Sequence, residues 1–197
     1  MIKTLCSLPE SFRQQVDVTV NDWEIDAVAR NAIILLLVFA SLSDISTDPA
    51  SYGTVAEALI HVWYSAFITQ SLLTSLQDKV GALLRDRCTH TTQVTQDGKI
   101  KKTWFSSQDR ALSITLRADQ WPQIEKFLDV PTALTRESAQ EIRAAVVISP
   151  ERADYRDIWY YKDAYPSMRL AKRKFRIDGL LLPFGHPRTD FVSRLGV

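Results

Sequence analysis

The chain has 197 residues and a formal charge of +1, so it is long enough for one self-sufficient domain and carries no excess of either charge. We therefore expect neither nucleic acid nor anionic lipid as a partner. Its six scattered glycines exclude a phosphate-binding loop and a dinucleotide fingerprint, which both need closely spaced glycines. Two cysteines and three histidines lack the spacing of a zinc site. We expect no metal and no cofactor.

The amino-terminal residues and the most apolar run bear on location. Residues 1–11 contain no apolar signal segment, so the sequence predicts a cytoplasmic protein with free thiols. The most apolar run, Ala32–Ala40, has nine residues, less than half of the roughly 20 that span a bilayer. It predicts a buried helix and no membrane insertion.

The first predicted element is a strand, and three helices follow it. Valines at alternate positions of Gln15–Val20 predict a strand with one buried face, ended by Asn21-Asp22. Apolar residues at helical spacing predict the three helices. These are about Glu24–Ser43, a helix capped by Ser51 or Thr54 that ends near Phe67, and about Ser71–Arg85.

Shorter elements are predicted in the second half. Asp97-Gly98 predicts a hairpin turn within Thr89–Lys102. The patterns that follow predict strands at Lys101–Ser106 and Ala111–Arg117, helices at Asp119–Leu128 and Thr135–Val147, short helices after Ser149, and a buried strand-like run at Gly179–Gly185. We predict a single domain over 1–197, with an α/β core in 1–148 and an aromatic, mostly helical region in 149–197.

Three segments carry a family resemblance: NDWEIDAVARN (21–31), HVWYSAF (61–67) and GLLLPFG (179–185). In this order they resemble a fungal domain of unknown function that precedes MYND zinc fingers and has relatives in dynein axonemal assembly factors. The resemblance covers most of Met1–Gly185. Because the family's glycine loop and zinc finger have no counterpart here, it implies a stand-alone, N-terminally truncated domain without a complete S-adenosylmethionine pocket.

The resemblance also implies the fold and one polar site. The expected fold class is α/β, an incomplete Rossmann-like (methyltransferase-like) sheet with flanking helices and a helical C-terminal region. Asn21 and Asp22 would lie at the carboxyl end of a parallel strand, where such sheets bind ligands. Arg30 and Asn31 on the next helix would complete a polar floor. The alternative is structural, with Asp22 capping the helix and Arg30 in an ion pair.

A second candidate site follows from helical spacing. Glu57, His61 and Ser65 are four residues apart and share one helix face, with Tyr64 beside them. A carboxylate near His61 would favour the protonated imidazole that a general acid requires. The alternative is a solvated polar stripe.

Aromatic and basic residues admit two interpretations each. Large aromatics at Trp63, Trp104, Trp121, Trp159 and Tyr160 either fill the core or line an apolar pocket. The basic run Arg169–Arg176 is either a solvated helix face or a contact for an acidic partner.

Two functions fit these observations. The first is a cofactor-independent enzyme that promotes cyclisation or isomerisation of an apolar small molecule, such as a pericyclic step in fungal secondary metabolism. The second is a non-catalytic protein-interaction module, and a homodimer stays open. For the enzyme, we predict His61, Tyr64 and Arg30 as catalytic residues, and Asn21, Asp22, Asn31, Trp63, Trp159 and Tyr160 as binding residues. An enclosed apolar cavity would favour the enzyme, and an exposed apolar patch over a filled core would favour the interaction module.

Overall fold

A computed structural model describes residues 7–9, 11–12, 16–41, 49–86, 90–106, 110–130, 135–162 and 164–194. The architecture is mixed α/β, in agreement with the predicted class. The helices are α1 Ile25–Ser41, α2 Pro49–Tyr64, α3 Gln70–Arg85, α4 Trp121–Phe127, α5 Arg136–Val147, α6 Ala153–Tyr161 and α7 Pro166–Asp178. The strands are β1 Ile68–Thr69, β2 Thr91–Val94, β3 Ile100–Phe105, β4 Ala111–Leu116 and β5 Phe191–Ser193.

The strands form two small antiparallel sheets. One is the meander β2-β3-β4, and its first turn contains the predicted Asp97-Gly98. Gly98 adopts a φ of 74° there, a backbone conformation that glycine reaches without steric cost. The second sheet pairs β1 with β5, which come from distant parts of the chain. Within the described residues, every strand pair is antiparallel, and the expected Rossmann-like sheet is not found.

The predicted strand at Gln15–Val20 is wrong over the part that the structure describes. Residues 16–20 form no strand, and Val16, Val18 and Val20 are each nearly half exposed. Alternating valines favour a strand only where another strand pairs with them and a core covers one face. Asn21 and Asp22 therefore do not lie at the carboxyl end of a parallel strand.

The run Gly179–Gly185 is not a buried strand either. Leu180 is buried, but Leu181 and Leu182 point to the surface. The backbone turns here, since Gly179, Phe184 and Gly185 all adopt positive φ angles. Such angles are incompatible with extended β structure. Of the three leucines in this run, Leu180 alone is buried.

The main core is built around α1. The apolar run expected to form a buried helix does so, and its buried face packs on α2, α3, α4 and β4. The side chains that α1 buries are Ala29, Ala32, Ile33, Leu36 and Leu37. Trp104 on β3 is fully buried, and its indole N–H donates to the Leu83 carbonyl oxygen at 3.2 Å. This satisfies the one polar atom of a large core side chain.

A smaller apolar cluster attaches the C-terminal region. Phe67, which follows α2, packs with Ala139 of α5, Leu180 and Phe191. The predicted helix end near Phe67 is thus three residues late, because α2 stops at Tyr64 and Phe67 leads into β1. The cluster joins residues on both sides of the predicted 148/149 boundary. Among the helices that the structure describes, none is both long and apolar enough to cross a membrane.

Candidate functional site

Buried His61 and two partly buried side chains, Glu57 and Ser65, form a polar cluster along the end of α2. The His61 Nδ1 atom lies 3.0 Å from the Ser65 Oγ atom, and its Nε2 atom lies 3.8 Å from the Glu57 Oε1 atom. Helical spacing thus brings all three side chains together as predicted. The solvated-stripe interpretation is wrong for His61, which is only 2 % exposed because the rings of Phe184 and Phe191 cover it.

Burial decides the charge of His61. Desolvation lowers the pKa of His61 below its ordinary value, and this effect exceeds the opposite effect of the Glu57 carboxylate. His186 lowers the pKa further. His61 is therefore a neutral imidazole near pH 7, which corrects the expectation of a protonated general acid.

The surroundings also favour one tautomer of His61. Its Nε2 atom is buried and has no hydrogen-bond partner among the described residues, and it faces the Glu57 carboxylate at 3.8 Å. A proton on Nε2 places a positive dipole towards that carboxylate, whereas a lone pair there would be repelled by it. The Nδ1 atom is then the acceptor, and the Ser65 hydroxyl donates to it.

Ser65 connects this cluster to an open cleft of about 340 Å³. The cleft lies where the end of α2 meets α1, α5 and the end of α7. Its lining combines charged, aromatic and small residues: Asp26, Arg30, Val62, Trp63, Tyr64, Ser65, Ala66, Phe127, Arg143, Phe175, Gly179 and Arg194. Among the described residues, three guanidinium groups and one carboxylate line the cleft, which is therefore electropositive and unlike the enclosed apolar cavity expected of the enzyme.

Three predicted site residues line this cleft together. Arg30 is exposed on α1, and the Trp63 and Tyr64 rings stack with centroids 5.3 Å apart at 10°. His61 does not line the cleft and reaches it only through Ser65. The structure thus brings together part of the predicted catalytic set.

The predicted residues at the start of α1 lie elsewhere. Asn21 and Asp22 are exposed, and the Asp22 Oδ1 atom accepts from the backbone N–H groups of Trp23 and Glu24. Asp22 therefore binds the two residues that precede α1, which begins at Ile25, and it does not cap the helix as the structural alternative expected. The predicted ion pair between Asp22 and Arg30 is absent from the part of the chain that the structure describes. Asn31 is half-buried and does not line the cleft.

Trp159, a predicted binding residue, does not line the cleft. Trp159 on α6 lies beneath two cations of α7, with Lys172 Nζ 5.1 Å and Arg176 Cζ 4.6 Å from its ring centroid. It contributes to packing between helices. The side chain of Tyr160 lies outside the described residues. Of the other aromatics, Trp104 and Trp121 are buried in the core.

Sequence reasoning missed Arg143, Arg194 and His186. Arg143 donates to the carbonyl oxygens of Phe175, Arg176 and Ile177 at the end of α7, where unpaired carbonyls and the helix dipole favour a cation. His186 Nε2 lies 3.5 Å from the same Glu57 oxygen that faces His61. No local pattern marks contacts between residues so far apart in sequence.

Metal ligands do not cluster here. In the described ranges, no three His, Cys, Asp or Glu residues lie close enough together to hold a metal ion.

Comparison with known proteins gives one finding. A family model described as a domain of unknown function (DUF4470) matches residues 1–68. The first 68 residues therefore resemble a domain-of-unknown-function family. The matched segment contains the buried His61 and several residues that line the cleft, among them Arg30, Trp63, Tyr64 and Ser65. No curated protein and no solved structure matches the chain.

Proposed function

We propose that the chain is a protein-interaction module that binds an acidic partner helix through α7. One observation carries this proposal. Leu170, Arg173, Lys174 and Ile177 have the i, i+3, i+4, i+7 spacing of one helix face. Leu170 is 69 % and Ile177 is 52 % exposed, and both cations between them are exposed too. An exposed face that mixes large apolar side chains with cations is typical of a binding surface.

The distribution of charge favours an acidic partner. Five cations and one acid lie in α7, although the whole chain carries only +1. Three of the five bend back towards α6: Arg169 over the Tyr161 ring, and Lys172 and Arg176 over the Trp159 ring. Arg173 and Lys174 then present the positive charge, and carboxylates beside apolar side chains on a partner helix complement them.

The family resemblance agrees with this role. The family that the sequence resembles has relatives in assembly factors, whose work is to bind other proteins, and the family-model match over residues 1–68 supports part of that resemblance. We also propose that the protein is of fungal origin and acts in the cytoplasm. The open, electropositive cleft and the exposed apolar face satisfy the criterion stated for an interaction module better than that for an enzyme.

A synthetic peptide helix with leucine and glutamate at i, i+3, i+4 and i+7 provides the test. We expect its titration to perturb NMR signals of α7 around Leu170 and Ile177. The double variant Arg173→Glu, Lys174→Glu should weaken binding by roughly tenfold or more, whereas Lys126→Glu, an exposed cation on α4, should leave binding unchanged.

Three results would contradict the proposal. The first is no peptide binding, and the second is binding that ignores the charge reversal. The third is that the α7 face does not bind the peptide and instead binds phosphatidylserine vesicles selectively or forms a homodimer.

As a second candidate, we propose that the chain is a cofactor-independent enzyme. It would promote cyclisation or isomerisation of a small molecule, as in fungal secondary metabolism. The hydrogen bond between Ser65 and neutral His61 at the cleft favours it, because a hydroxyl on an imidazole can relay a proton. Arg30 and Tyr64 would face the substrate, and His61 would act through Ser65. In a producing organism, Arg30→Gln and Tyr64→Phe should change the ratio of product isomers, and unchanged ratios in both would exclude this function.

A further inference from the structure

The cleft at the end of α2 contains a cation, Arg30, that has no partner among the residues that the structure describes. Arg143 is held by the carbonyls at the end of α7, and Arg194 donates to the Ala139 carbonyl oxygen. Arg30, in contrast, is exposed and makes no ion pair or side-chain hydrogen bond in the described residues. Asp26 is the one carboxylate that lines the same cleft in the described part of the chain, so the guanidinium of Arg30 is available to an anion.

Flat aromatic surface lies beside this cation. Trp63 and Tyr64 are stacked and are 44 % and 49 % exposed, and Phe127 and Phe175 line the cleft as well. Half-exposed aromatic rings offer a planar ligand both apolar contact and ring stacking. The volume of about 340 Å³ is near the lower limit for small-molecule sites, so the ligand is about the size of a single substituted ring.

The hydroxyl oxygen of Ser65 can accept a hydrogen bond from a ligand in the cleft. Because the favoured tautomer of His61 accepts the Ser65 proton at Nδ1, the free lone pairs of Ser65 Oγ are left to accept from a ligand. A ligand hydroxyl or N–H group on the ring meets that requirement. The cleft thus offers a cation, an aromatic surface and one acceptor.

We propose that this cleft is a binding site for a small aromatic carboxylate that carries a hydrogen-bond donor. Arg30 pairs with the carboxylate, the rings of Trp63 and Tyr64 contact the ligand ring, and Ser65 Oγ accepts from its donor. The site is independent of the α7 face, because Leu170, Arg173, Lys174 and Ile177 do not line the cleft.

Three probes separate the contributions. 4-Hydroxybenzoate has all three features, 4-hydroxybenzamide lacks the charge, and benzoate lacks the hydroxyl group. Calorimetric titration of the full chain should show binding of 4-hydroxybenzoate, and binding of the amide should be roughly tenfold weaker or more, because a charged hydrogen bond is lost. Benzoate should also bind more weakly. The indole N–H signal of Trp63 should shift with the ligand, while that of buried Trp104 should not.

Matched variants test the assigned contacts. Arg30→Gln removes an exposed guanidinium and should weaken binding of 4-hydroxybenzoate by roughly tenfold or more, whereas Arg117→Gln, which removes an arginine paired with Asp119 on the surface, should not. Equal binding by Arg30→Gln, equal binding of acid and amide, or no binding at millimolar probe would overturn the proposal. Arg173→Glu should leave this binding unchanged, so failure of the interaction role and failure of this site are distinguishable.

Discussion

At the residue scale, His61 shows how burial reverses a prediction made from spacing. Glu57 four residues away suggests a charged imidazole, and the carboxylate does lie on that side. The rings of Phe184 and Phe191, more than 120 residues further along the chain, remove water from the imidazole. Desolvation then exceeds the attraction of a carboxylate 3.8 Å away. Residue spacing predicts which side chains share a helix face, but only the fold decides whether that face is exposed to solvent.

We predict that His61 makes the protein less stable as the pH falls below about 6.5. The unfolded chain binds a proton at the ordinary histidine pKa, near 6.5. The folded chain does so only at lower pH, because burial lowers the pKa of His61. Stability is therefore complete above the unfolded pKa and is lost as the pH falls towards the folded one, by up to about 1.4 kcal/mol per pH unit.

Urea unfolding at pH 7.5 and pH 5.5 measures this effect. His61→Gln should reduce the loss of unfolding free energy between the two pH values. The remaining loss includes His90, whose pKa is also lowered, mainly by burial. His186→Gln is the control, because it leaves His61 buried and should keep most of the loss. An equally large loss in His61→Gln would show that this imidazole is not the group responsible.

At the element scale, local sequence patterns predict single helices and turns, whereas the sheets depend on which distant segments of the chain pair. The hairpin at Asp97-Gly98 and helix α1 were predictable, because turn residues and apolar spacing act within a few residues. The predicted helix at Thr135–Val147 also forms, and the Thr135 Oγ1 atom caps it by accepting from the Ser138 backbone N–H. The pairing of β1 with β5 was not, since two- and three-residue strands leave no periodic pattern.

We predict that Gly179→Ala destabilises the protein more than Gly98→Ala. Both glycines have positive φ angles, 76° and 74°, so alanine costs about 1–2 kcal/mol at each from backbone strain. At Gly179, a new Cβ atom would also lie 2.7 Å from the Ala66 Cβ atom, whereas Gly98 faces open space. Relieving that clash adds about 1–3 kcal/mol.

Thermal unfolding of the two variants gives the comparison directly. The difference between them measures the close packing around Gly179, where a Cβ atom would approach the Ala66 Cβ atom at 2.7 Å and the Arg143 Nε atom at 2.9 Å. If both alanine variants lose the same stability, the end of α7 does not pack against Ala66 and Arg143 as closely as described.

At the scale of the whole molecule, two apolar clusters share the chain unequally. The large cluster surrounds α1, and the small one holds Phe67, Ala139, Leu180 and Phe191. The predicted division at residue 148 follows a change in composition, but the small cluster crosses it. A division by composition fails here because a few buried side chains join segments that differ in charge and aromatic content.

We predict one cooperative unfolding transition, as expected of a single domain. Leu36→Ala in the large cluster should cost about 2–5 kcal/mol, and Phe191→Ala in the small one about 3–5 kcal/mol, because both residues are fully buried. Each variant should shift the same calorimetric transition as a whole, and Val94→Ala, at a position that is 74 % exposed, should barely shift it. A separate early transition in Phe191→Ala alone would divide the chain into two units.

The pairing of β1 with β5 has a consequence for synthesis of the protein. Ile68 and its partner Ser193 leave the ribosome at different times, and at a translation rate of about 5–20 residues per second the interval is roughly 6–25 s. During that interval Phe67 and Ile68, which are buried in the folded protein, emerge without the strand that covers them. The nascent chain thus presents an apolar segment before its partner exists, and such a segment is a substrate for chaperones that hold unfinished chains.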